Sequence, residues 1–73
     1  MNAQEWVAAY AAELGVDPPT TEEFEAILEL AAVGAHSSER VAAPVACWLS
    51  ARSGRPLDES IAIAQRVAGT PEA

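Results

Sequence analysis

The sequence predicts an all-α domain, a compact four-helix antiparallel bundle or an orthogonal array of the same helices. Three observations carry that expectation. Four stretches repeat apolar residues at helical spacing, and glycine or proline separates each from the next. No stretch alternates with period two and none is rich in β-branched residues, so nothing reads as a strand. Alanine accounts for 17 of the 73 residues, and alanine favours helix while burying little area.

The first helix is expected at about 3–14, in "MNAQEWVAAYAAELG". Asn2 is placed to cap it, with Glu5 as the capping-box acid and Met1 against Trp6 as a hydrophobic staple. Trp6, Tyr10 and Leu14 recur every four residues and so share one stripe, read here as core-facing. Gly15 stops the helix, and the linker "VDPP" cannot continue it.

A second helix is expected at about 21–35. Thr20 and Glu23 form its capping box, and Glu22, Glu23 and Glu25 crowd the positive end of its dipole. Phe24, Ile27, Leu28, Ala31 and Ala35 make the inward stripe, with Leu30 and Val33 beside it. Gly34 costs about 1 kcal/mol against alanine inside a helix, which a close helix crossing there would explain.

The third helix, about 43–53, starts near Pro44, a residue suited to a first helical turn. Val45, Trp48, Leu49 and Arg52 keep helical spacing, and Gly54 ends it. The fourth, about 59–68, takes Asp58 as cap and Ile61, Ala64, Val67 and Ala68 as its stripe. Gly69 and Pro71 end it, ahead of a fraying tail. Together the helices form one domain, residues 1–73.

Composition narrows the function classes. The net charge is −7 and the chain has no lysine. Residues 1–39 hold eight acids and no base, whereas all four arginines lie in residues 40–73. An acidic domain repels phosphate backbones, so nucleic acid is not an expected partner. No apolar run is long enough for a bilayer, and no basic segment precedes an apolar one as in a secretory signal. One cysteine, Cys47, excludes an intrachain disulfide and every multi-cysteine metal signature. The expected setting is cytoplasmic, with no membrane partner. A large apolar set this small makes packing against another protein, or self-association as a homodimer, the expected route to stability.

The chemistry-bearing residues cluster in "AHSSERVAAP", residues 35–44. His36 and Glu39 are half a metal site at most, with no further imidazole or thiolate ligand spaced to complete it. His36 and Cys47 would make a nucleophilic pair only if they touched. Trp48 and Arg52, one turn apart, read as a core tryptophan with an arginine over its edge. No glycine-rich phosphate loop and no paired-carboxylate signature is present. No catalytic residue, metal site or cofactor is therefore expected. His36, Glu39, Arg40, Pro44 and Trp48 are the junction and candidate binding cluster. Its structural reading is a double cap: Arg40 and His36 donate to the carbonyls ending one helix, and Glu39 accepts from the amides opening the next.

"AHSSERVAAPVACWLSARSG" and the tryptophan-containing "EWVAAYAAELGV" resemble a small actinobacterial family of unknown function. Ala35, His36, Glu39, Arg40, Ala42, Ala43 and Pro44 carry the match. Members occur alone or fused to nucleotidyltransferases similar to the molybdopterin-guanine dinucleotide biosynthesis enzyme (MobA-like). The resemblance implies a link to molybdenum cofactor biosynthesis and no known activity. The 73 residues contain no nucleotidyltransferase portion. Three readings follow: a non-enzymatic accessory domain that binds a protein, a self-associating structural module, and a small-molecule binder at His36, Arg40 and Trp48.

Overall fold

The computed structural model describes residues 1–69. Four helices follow one another, α1 (Ala3–Leu14), α2 (Thr21–Ser37), α3 (Ala42–Ser53) and α4 (Leu57–Ala68), and the described residues contain no strand. The all-α, four-helix expectation holds. The stop expected at Pro71 and the fraying tail lie outside the described residues.

Both capping boxes read from the sequence form. Asn2 Oδ1 accepts from the Glu5 amide at 2.8 Å, and Glu5 Oε1 accepts from the Asn2 amide at 2.9 Å. At α2, Thr20 Oγ1 accepts from the Glu23 amide at 3.1 Å and Glu23 Oε1 from the Thr20 amide at 2.8 Å. Each box satisfies two amides that the helix itself leaves unpaired. Gly15 closes α1 at φ 79°, a left-handed conformation in which a Cβ would be strained. The Val16 amide then reaches back to the Ala11 carbonyl at 3.0 Å.

Asp58 is not the cap of α4. The helix begins one residue earlier, at Leu57, behind Pro56, and Asp58 accepts instead from the neighbouring Glu59 amide at 2.8 Å. The fixed φ of Pro56 leads the chain into the first turn without a side-chain cap. Arg55 pairs with Glu59 across that turn.

α2 is the centre of the arrangement. α3 and α4 both pack on it, and no other pair of helices makes more than marginal contact. The molecule measures 41 × 23 × 18 Å. The 17 residues of α2 rise only about 26 Å, so the four helices do not all lie side by side.

Because α2 is flanked on two sides, its apolar arc is wide. Leu30, read as lying off the inward stripe, is its most buried residue at 3% exposure, while Leu28, read as inward, is more than half exposed. Phe24, Ile27, Ala31 and Ala35 are half-buried, as the stripe requires. Among the described residues, Ala11, Leu30 and Ile61 are the buried apolar ones, joined by one buried polar residue, Ser60.

The largest departure from expectation is in α1 and α3. Both leave their large face in solvent; α3 buries its alanine face, whereas α1 buries Ala11 alone of its alanines and leaves Ala8, Ala9 and Ala12 exposed. In α1, Ala11 is buried and Val7 half-buried, but Trp6, Tyr10 and Leu14 are all more than half exposed. In α3, Ala42, Ala43, Ala46, Cys47 and Ser50 are half-buried, but Val45, Trp48 and Leu49 are not. The stripes are real; their direction is opposite to the one periodicity suggests. Gly34 supplies the reason at α3. A Cβ placed there would lie 3.3 Å from the Ala42 carbonyl oxygen and 3.5 Å from Ala46 Cβ. Two helix backbones this close admit only small side chains between them, so the bulky ones turn away.

Candidate interaction surface

At the junction between α2 and α3, Pro44 sits in the first turn of α3 as expected, but the hydrogen bonds are made by groups other than the expected side chains. Ser37 Oγ donates to the Val33 carbonyl at 2.7 Å and Ser38 Oγ to the Gly34 carbonyl at 2.9 Å, so two serines satisfy the end of α2. At the start of α3, the Ala42 amide donates to the Glu39 carbonyl at 2.9 Å and the Ala43 amide to the Arg40 carbonyl at 3.1 Å. Pro44 has no amide to satisfy. The chain thus enters α3 through a tight backbone turn, and α3 needs no side-chain cap.

The double cap assigned to Arg40, His36 and Glu39 is therefore not made: serine hydroxyls and main-chain carbonyls do that work. His36 lies in the last turn of α2, and its side chain, with those of Glu39 and Arg40, is exposed. Pro44 is exposed as well. Within "AHSSERVAAP" the structural logic belongs to the other letters. The serines close one helix, the proline opens the next, and the alanines let α3 lie against Gly34.

Trp48 is 59% exposed, which corrects its reading as a core tryptophan. Arg52 does cover it, with Cζ 5.2 Å from the ring centroid. Val41, Val45 and Leu49 lie on the same side of α3, each more than half exposed, at offsets of four, seven and eight residues, as one helical face demands. The face runs about 12 Å along the axis. Arg40 precedes its first turn and Arg52 lies in its last.

Cys47 points the other way, toward α2, with Sγ 3.8 Å from the Ile27 carbonyl oxygen. Burial pushes its thiol up from the ordinary 9.0, because a thiolate loses hydration there. It acts as a small apolar residue with a weak donor. The structure does not bring it into contact with His36, so it lacks the base a nucleophilic pair needs.

Two grooves stand out. The smaller lies between α1 and the start of α2, where Gln4, Val7 and Ala8 face Pro18, Pro19 and Phe24. The larger, about 700 Å³, has α2 as its floor and α3 and α4 as its walls. Leu30, Val33, Leu49, Ile63 and Val67 make it apolar, and serines supply most of its polar atoms. Ser50 Oγ donates to Ser60 Oγ at 2.7 Å across it, tying α3 to α4. His36, Arg40 and Trp48 line neither groove. The larger groove was not legible in the sequence. Its only trace there is the set of small polar residues on the α3 and α4 walls, at positions where a packed bundle carries aliphatics. Among the described residues no three His, Cys, Asp or Glu side chains gather as metal ligands, and no helix is long and apolar enough to cross a membrane.

The family is set by residues 1–71, which match the family model described as Domain of unknown function (DUF6457). The chain belongs to that family. No curated protein and no solved structure is significantly similar to it. The family match spans α1 to α4 and so takes in both apolar faces and the junction between α2 and α3.

Proposed function

We propose that this member of the family is a non-enzymatic, cytoplasmic interaction module that binds protein through the exposed face of α3. One observation carries the reading: Val41, Val45, Trp48 and Leu49 form a continuous apolar face in solvent, with an arginine at each end. Aromatic and arginine side chains dominate the energetics of protein interfaces, and contiguous apolar surface on a small domain marks a contact site. The alanine face of α3 is already used against α2, so the large face is what remains to present. His36 and Glu39 stand at the same end of α3 as Arg40, their side chains exposed and unpaired among the described residues, and form the polar rim. Nucleic acid is a poor partner for a chain of net charge −7.

The resemblance of "AHSSERVAAP" to domains fused with MobA-like nucleotidyltransferases directs the first choice of partner, an enzyme of molybdopterin-guanine dinucleotide biosynthesis. Isothermal titration of the full chain against such an enzyme tests it. The expected result is binding that Trp48→Glu weakens at least tenfold while far-ultraviolet circular dichroism stays unchanged. Absence of binding removes that enzyme class as partner. Binding indifferent to Trp48→Glu removes the α3 face.

A further inference from the structure

The chain carries a second pair of unpartnered apolar features, one convex and one concave. Trp6, Tyr10 and Leu14 stand along α1 at successive turns, with Trp6 55% and Tyr10 52% exposed. Their two rings stack, with centroids 5.1 Å apart, so the face is ordered without a partner helix. The concave feature is the groove between α3 and α4, with Leu30 buried in its floor, Val33 half-buried, and Val67 on its rim 67% exposed. We propose that the α1 face of a second copy of this chain fills that groove, each copy giving its helix to the other in a closed, two-fold dimer. The proposal deepens the interaction-module reading and rests on it, but its surface meets the α3 face only at Leu49, which lines the groove, and leaves Val41, Val45 and Trp48 outside it.

Four features of the molecule favour a second copy over an unrelated partner. Three helices surround the groove on the floor and two sides, so an added helix completes a four-helix core. A helix with anchors at successive turns is the shape that such grooves take. The chemistry also matches. The groove is apolar with serine hydroxyls among its lining, and the α1 face is aromatic with one indole N–H and one phenol, groups that seek a hydrogen-bond partner when buried.

Charge runs the same way. α1 carries Glu5 and Glu13 and no base, a net −2, whereas α3, α4 and the turn between them carry Arg52, Arg55 and Arg66 against Asp58 and Glu59, a net +1, with Arg55 already paired to Glu59. Reciprocity then doubles the area. Trp6 and Tyr10 are half exposed, so covering each removes about half of the roughly 150–250 Å² that an aromatic buries in full; with Leu14 and the groove lining, counted for both copies, the total comes to on the order of 1,000 Å², the low end of specific interfaces. Ala11 and Val7 of α1 stay where they are, already covered, and the exchange needs only the outer face.

Sedimentation of the full chain across concentration tests the proposal, with Trp6→Glu spoiling the helix face and Val67→Glu spoiling the groove. The expected result is a wild-type dimer, and two variants that are monomeric yet fully helical by circular dichroism. An equimolar mixture of the variants should sediment heavier than either alone, because one intact helix then meets one intact groove. A wild type that stays monomeric at every concentration overturns the proposal. So does a dimer that survives both variants, or one that Trp48→Glu alone dissolves, which would assign self-association to α3. A monomeric wild type leaves titration through the α3 face untouched, so the two readings fail separately.

Discussion

α3 and α4 both pack against α2, but with opposite kinds of side chain. α4 packs on α2 with Ile61 buried and Ile63 half-buried, so that contact rests on large apolar side chains and sets the core. α3 brings Ala42, Ala46 and Cys47 toward Gly34 and Ile27, so that contact rests on close approach of two backbones. The difference has a consequence for the surface. α4 buries or half-buries Leu57, Ile61 and Ile63 and leaves Val67 as its one exposed large apolar residue. A helix that buries its small residues must carry its large ones outside, and Trp48 and its neighbours are the result.

The comparison is most sharply tested at the α4 side. Leu30→Ala should cost about 2–5 kcal/mol, the range for a buried leucine that leaves a cavity, and lower the melting temperature by about 10 °C or more, since 1 kcal/mol moves a domain of this size by roughly 4–8 °C. A loss under 1 kcal/mol by chemical denaturation would mean that Leu30 is not the centre of the core. Next comes Gly34→Val. Its added atoms meet the Ala42 carbonyl and Ala46 Cβ, and overpacking of that kind costs about 1–3 kcal/mol. Helix propensity alone predicts the opposite sign, since valine is a better helix former than glycine, so a stabilised Gly34→Val would break the close-approach account. The smallest effect belongs to Trp48→Ala. A tryptophan in the core would cost 3–5 kcal/mol, whereas an exposed one should change unfolding free energy by less than about 0.5 kcal/mol. Equilibrium denaturation distinguishes the two directly.

The junction at residues 35–44 shows how far the sequence could be read. Its position between two helices was legible, because alanine, serine and proline there break the helical pattern. The assignment of caps was not. Arginine, histidine and glutamate are stronger hydrogen-bonding groups than serine, so chemistry alone favours them. Serine wins because its short side chain reaches a carbonyl one turn back in its own helix, as Ser37 and Ser38 do. The longer side chains are then free to face solvent. Of the five cluster residues, His36, Glu39, Arg40 and Pro44 lie at that junction and Trp48 lies a turn beyond Pro44 on α3, and all five are exposed.

What the sequence by itself determined is local. The four helices, two capping boxes and the glycine that ends α1 follow from side chains acting within a few residues, so neighbouring letters suffice to read them. The two apolar stripes were also visible, because 3.6 residues per turn is a property of any helix. Which side of each helix faces α2 was decided only by the tertiary structure. An amphipathic pattern identifies a face without saying what covers it, and an alanine face can be buried in place of a large one when a glycine on the partner lets the backbones meet. Gly34 settles that choice for α3.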